Sequence, residues 1–202
     1  KRSYQFEHVF KSAFCIGLLP MLYAPALPLV LIVPVTLVLY RRTLREAVVA
    51  AAGLLLPFFI CSVVWWGLGD SFGLMGHELL AGTTLGEDTA LPAFFGEKGV
   101  WSKVYIGLFA ALTLCSAIII LRTLSSLRTR AKKIHIHFLW LLLLCLISLL
   151  LPGSTIASLG VLAVPCCVTV SAFFIRYRGW LPLAIYTVLT ALMLYINLFP
   201  GV

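Results

Sequence analysis

The 202-residue chain is 62% hydrophobic and 11% charged, with a mean hydropathy of +1.09, against roughly 45–50% apolar and about 25% charged in soluble domains. A water-soluble fold of this size could not hide so much apolar surface, and the net charge of +8 collects beside apolar runs, so it does not point to nucleic acid. Runs such as FLWLLLLCLISLLL lack the alternation of a lipid-facing barrel strand, which leaves an all-α polytopic transmembrane bundle of about six to seven spans.

In chain order the spans are expected near 6–23, 24–40, 45–68, 101–121, 136–151, 155–175 and 181–199. The first two share a stretch with Pro20, Pro25, Pro28 and Pro34. A single helix from Phe14 to Tyr40 would rise about 40 Å, longer than the hydrocarbon core. Tyr23 to Pro25 is therefore read as a turn, with Pro25 opening the second helix, where its missing N–H costs nothing. The first span is the weakest, because Lys11 shortens its apolar part and Pro20 interrupts it; Glu7 and Lys11, four apart, are placed to pair. Thr43 and Glu46 have capping-box spacing ahead of the third span, Ser154 is placed to cap the sixth, and Gly179 with Pro182 separates the sixth from the seventh.

Charge tests this count. With seven spans, thirteen of the fifteen Lys and Arg residues fall on one side: Lys1, Arg2 and Lys11; Arg41, Arg42 and Arg45; Arg122, Arg128, Arg130, Lys132 and Lys133; Arg176 and Arg178. The other side holds Lys98 and Lys103 with Asp70, Glu78, Glu87, Asp88 and Glu97. By the positive-inside rule the N-terminus is expected inside and the C-terminus outside. Trp65, Trp66, Trp101 and Tyr105 then form an outer aromatic belt, and Tyr40, Trp140 and Trp180 an inner one.

Few residues carry chemistry. Ionisable groups deep in spans, the usual functional pointers in membranes, are missing apart from Glu7 and Lys11. The outer connection 69–99 contains HELLA, but Ala81 stands where a zinc-hydrolase helix needs its second histidine, so no metal is expected. Asp70, Glu87 and Asp88 are the candidate general bases for a membrane enzyme using lipid-linked substrates; the competing account is a solvated loop with a short interfacial helix over 72–80. In the inner connection, Arg128, Arg130, Lys132 and Lys133 are the candidate contacts for lipid head groups or an acidic partner, and Leu121, Leu124 and Leu127 suggest that the fourth span continues as an amphipathic tail. His135 and His137 share a face only if extended, and make a poor metal site.

The six cysteines lie inside apolar runs and are expected to be buried free thiols. Ala47, Ala50, Ala51, Ala52 and Gly53 in the third span, and Ser158, Gly160 and Ala163 in the sixth, allow close helix packing within the chain or against another subunit. Pro57 and Pro165 should kink their spans.

Residues 14–60 resemble an uncharacterised family of polytopic inner-membrane proteins from Bacteroidota. The similar features are Phe14 with Gly17 to Leu19, the turn of Leu22, Tyr23 and Pro25, the corner of Arg41, Arg42, Arg45 and Glu46, and the segment of Gly53, Leu54 and Pro57; the C-terminal half, with LPGSTIASLGVLAVP, is loosely similar. The family usually has Ala or Ser at the position of Pro20, and its members begin with further helices. The resemblance implies a bacterial inner membrane and a single transmembrane domain over 1–202 that belongs to a longer protein, with no implied activity. At the corner, Glu46 is placed to pair with an arginine and brace the turn. The leading expectation is a non-enzymatic accessory or scaffold component of an envelope assembly, with membrane lipids and other membrane subunits as partners and no cofactor. A membrane enzyme of lipid-linked sugar or phospholipid metabolism and a transporter or channel remain the alternatives.

Overall fold

The computed structural model describes residues 2–84, 99–151, 153–154, 156–177 and 179–198. Every regular element among them is helical: α1 (Arg2–Leu22), a 3-10 segment (Ala24–Leu31) running into α2 (Ile32–Leu39), α3 (Leu44–Gly67), α4 (Leu74–Thr84), α5 (Val100–Thr123), α6 (Thr129–Leu150), α7 (Ile156–Arg176) and α8 (Trp180–Leu198). α3, α5, α6 and residues 158–176 of α7 are each long and apolar enough to cross a membrane. α1 has the length, at 21 residues, but its first half carries Arg2, Glu7 and Lys11, the last two joined at 2.6 Å.

The proline-rich stretch breaks at Tyr23, whose extended backbone (φ −152°, ψ 97°) interrupts the helix just before Pro25. The chain beyond this break is not a plain α-helix. Ala24–Leu31 winds as a 3-10 helix with Pro28 inside it, and 3-10 geometry advances about 2.0 Å per residue instead of 1.5 Å. With α2, the sixteen residues of Ala24–Leu39 therefore rise about 28 Å, close to a hydrocarbon core of about 30 Å. The tighter winding has a cost that proline creates: Pro28 has no N–H for the carbonyl three residues back, Pro25 O. That oxygen instead accepts a hydrogen bond from Ser148 Oγ of α6 at 2.6 Å.

Apart from α4, which packs on both α3 and the 3-10 segment, the helices stand in a row. α3 packs on α1, α1 on the 3-10 segment, the 3-10 segment and α2 on α6, α6 on α7, α7 on α5, and α5 on α8. α1 and α3 run parallel, since their contacts advance together: Gly53 meets Phe10 and Ala13, Gly17 meets Leu54, and Cys61 Sγ lies 3.5 Å from Met21 Sδ. The buried stripe of α3 is Glu46, Ala50, Gly53 and Pro57, one face of a helix, so the small residues at 50 and 53 serve packing inside the chain. One apolar cluster joins Ala26, Leu29 and Ile32 to Leu144 and Cys145 of α6; another joins Leu112 of α5 to Val170 and Phe173 of α7.

Three expectations change. The fourth span has no amphipathic tail: α5 ends at Thr123, and a turn leads to Arg128, which precedes α6. Arg130, Lys132 and Lys133 thus belong to the first turns of α6, which starts seven residues before its apolar run. Nor are all the thiols buried: Cys145 and Cys166 are, whereas Cys15, Cys115 and Cys167 lie exposed on helix flanks. Finally, the short helix after α3 is Leu74–Thr84 rather than 72–80.

Candidate functional site

Polar side chains converge where α2 ends and α3 and α6 begin. α2 terminates in a Schellman turn: Arg42 N–H bonds Leu37 O at 2.9 Å and Arg41 N–H bonds Val38 O at 3.1 Å, with Arg41 left-handed at φ 51° where glycine is usual. A side chain there costs about 1–2 kcal/mol. Arg41→Gly is thus expected to raise unfolding stability by about 1 kcal/mol, despite the entropy that glycine adds to the unfolded chain, as read by thermal unfolding in detergent; a loss of stability would mean that the Arg41 side chain holds the corner.

Thr43 starts α3 as its N-cap, accepting from Glu46 N–H at 3.4 Å. The Glu46 side chain does not complete a reciprocal box. It turns to Arg42, with Oε1 3.5 Å from the guanidinium, and is 90% buried while Arg42 is 40% exposed; its other oxygen, Oε2, is buried without a hydrogen-bond partner.

α6 closes on this corner from the other side. His137 Nδ1 lies 3.2 Å from Thr36 Oγ1, and Thr36 already donates its one proton to Ile32 O at 2.6 Å. Nδ1 must then carry the hydrogen and donate. The His137 ring meets Tyr40 edge-on at 6.5 Å, and Lys133 Nζ sits 5.7 Å above the Tyr40 ring, within cation–π range. The two basic segments, far apart in sequence, therefore meet through Tyr40 and Lys133: Arg41 and Arg42 directly follow Tyr40, and Arg128, Arg130 and Lys132, all exposed, stand at or within the first turn of α6, the helix that carries Lys133. His135 faces elsewhere, into a cleft of about 380 Å³ between α5, α6 and α7 that also holds Thr123, Ser171 and Arg176. Among the described residues no three His, Cys, Asp or Glu groups are placed to hold a metal.

Beside the corner is a groove of about 250 Å³ between α1, α2 and α3. Val9, Ala13, Ile16, Val33, Leu37 and Ala50 make its apolar walls, and His8, Ser12, Thr36 and Arg42 its polar groups. Sequence patterns point to no role for Ser12, Thr36 or His137 at this corner; their one signal is a lone polar residue in or beside an apolar run.

Asp70 lies beyond the other end of α3, roughly 36 Å away along 24 residues of helix. It is exposed in the turn after Leu68, its N–H bonded to Trp65 O at 3.1 Å. Glu87 and Asp88 lie outside the described residues. Compared with known proteins, the chain matches no family model, no curated protein and no solved structure.

Proposed function

We propose that the chain is a polytopic protein of a bacterial inner membrane, non-enzymatic, acting as an accessory or scaffold component of an envelope assembly. The observation that carries this reading is the single cationic end, set against helix flanks that are apolar. Joined basic segments fit one cytoplasmic face meeting anionic head groups, each cation contributing about 1 kcal/mol. In this reading Ala24–Leu39 and α8 cross as well as the four longer helices, α1 enters from the inside, and the C-terminus lies outside. The resemblance to the Bacteroidota family supports the membrane assigned here.

α3 is the face we assign to a neighbouring subunit. It packs on α1 along one stripe and touches α2 and α4 as well, Phe59 meeting Phe72 edge-on at 6.2 Å, and it leaves Leu55, Val63 and Trp66 exposed. Two measurements test the proposal. Cysteines introduced at Ser71 and Ser126, in a chain with the native thiols replaced, should be labelled by an impermeant maleimide in intact cells at 71 only. Labelling at 126 alone would reverse the sidedness and remove the cytoplasmic assignment. A photo-crosslinker at Leu55 should capture a second protein chain in the membrane; adducts with lipid alone would sink the scaffold role.

A further inference from the structure

We infer that the cleft between α5, α6 and α7 binds an anionic phospholipid, its phosphate held by Arg176 and His135 and the start of an acyl chain lying along the walls below. The assignment rests on the reading that these helices cross a membrane and on three features of the cleft.

The first is where its polar groups stand. Thr123 ends α5, Arg176 ends α7 and His135 lies in the second turn of α6, so the three helices bring them to one end. Arg176 and His135 both line the cleft of about 380 Å³, and among the described residues neither has an ion-pair partner. Thr123 donates its proton to Ile119 O at 2.7 Å and Ser171 donates to Val168 O at 2.8 Å. Those hydroxyls are spent on their own helices, which leaves the guanidinium and an imidazole N–H as the donors. A planar guanidinium suits a phosphate.

The second is the sign of the charge. The cleft is lined by no carboxylate. The ends of α5 and α7 present carbonyls there, equivalent to about half a negative charge each, but Arg122 and Arg176 in those same last turns more than offset them. A zwitterionic head group would bring its own ammonium into this field, and an anionic one would not.

The third is shape. Below the mouth the walls are apolar: Ile119 and Ile120 lie one turn deeper than Thr123, and Val168 lies about 12 Å deeper than Arg176 along α7. A turn over 124–128 joins α5 to α6, yet each packs on α7 rather than on the other, so the seam between them stays open. A neighbouring cleft of about 330 Å³, lined by Leu121, Ile136, Leu139 and Trp140, carries no charge and gives a head group nothing to hold. A polar mouth above apolar walls fits an amphiphile, whereas a free phosphate would use the mouth alone.

The test is native mass spectrometry of the full chain in detergent with equal amounts of phosphatidylglycerol and phosphatidylcholine, and separately with soluble glycerol phosphate. Retention of the glycerol lipid about tenfold above the choline lipid is expected. Arg176→Gln, at an exposed side chain, should bring that ratio near one. Arg45→Gln removes the same charge from α3, outside the cleft, and should leave the ratio within about twofold, because exposed charges are screened over about 10 Å. Ala172→Leu, which fills the cleft with Arg176 and His135 in place, should abolish the preference, with circular dichroism to show that the variant has folded. Equal retention of the two lipids by the unaltered chain overturns the assignment. So do equal losses from Arg45→Gln and Arg176→Gln, which would mean a general attraction to the basic residues. Glycerol phosphate held as well as the lipid, or a polypeptide retained in the lipid's place, overturns it too. Reversed labelling at 71 and 126 with the lipid preference intact would strike the function proposed above and spare this site, while correct labelling without the preference would strike the site alone.

Discussion

Gly17→Ala and Gly53→Ala are expected to loosen the protein more than any comparable change elsewhere. A Cβ at residue 17 would stand 2.6 Å from Leu54 O, and one at residue 53 would stand 2.8 Å from Phe10 O and 3.2 Å from the Ala13 Cβ. Both obstacles at the shortest distances are backbone atoms of a facing helix, so no side-chain rotation relieves them. α1 and α3 would have to move apart, giving up contacts along Ala13, Ala50 and Pro57. Overpacking of this kind costs about 1–3 kcal/mol, and in a bilayer such contacts have no water-driven term to replace them. The double variant should cost less than the sum, because the first separation relieves the second clash. Gly107→Ala and Gly160→Ala are the controls: a Cβ at either meets nothing within 4 Å, and each swap should be neutral or slightly stabilising in a helix. Equilibrium unfolding in mixed detergent micelles would measure all four. Equal effects at 17 and 160 would mean that the α1–α3 approach is not close.

Ser148→Ala is the second large effect expected. The hydroxyl reaches across to Pro25 O in a buried setting, and that carbonyl has been deprived of its 3-10 donor by Pro28. Removing the hydroxyl takes from that acceptor the bond standing in for its 3-10 donor, beside the apolar cluster of Ala26, Leu29, Leu144 and Cys145. The expected loss is about 1–2 kcal/mol. Ser148→Thr, which retains the oxygen, should recover most of it. Thr187→Ala serves as contrast, since Thr187 is exposed and bonds only within its own helix; it should change stability by no more than about 0.5 kcal/mol. If Ser148→Ala were as mild, the 3-10 segment would have to satisfy Pro25 O by another route.

Much of the architecture could be read from residue patterns. Helix positions followed from uninterrupted apolar runs, and the break at Tyr23 followed from Pro25 and from the length a single helix would have needed. The pairing of Glu46 with Arg42 follows from i, i+4 spacing. The winding of Ala24–Leu31 was not legible, because 3-10 and α geometries share nearly the same apolar pattern over eight residues. The start of α6 was also misplaced: TRAKKIH looks like a loop by charge, yet Arg, Lys and Ala are good helix formers, and Lys133 and His137 gain partners on α2 once the helix begins early. The union of the two basic segments lay beyond any local pattern, since it depends on α2 and α6 becoming neighbours. Of the acids singled out for chemistry, Asp70 sits at the opposite end of α3 from the corner, a separation set by helix length alone.

The 3-10 winding of Ala24–Leu31 also makes that segment adjustable in length. Rewound as an α-helix, its eight residues would shorten by about 4 Å and draw the Arg41–Arg42 corner by that distance along the bilayer normal. Hydrophobic mismatch costs only fractions of a kcal/mol per ångström, so membrane thickness bears directly on which winding is favoured. Ser148 opposes the change by holding Pro25 O in its 3-10 position. Under the topology proposed above, in which Ala24–Leu39 crosses the membrane, the same few residues would couple the height of the arginine corner to the thickness of the lipid around it.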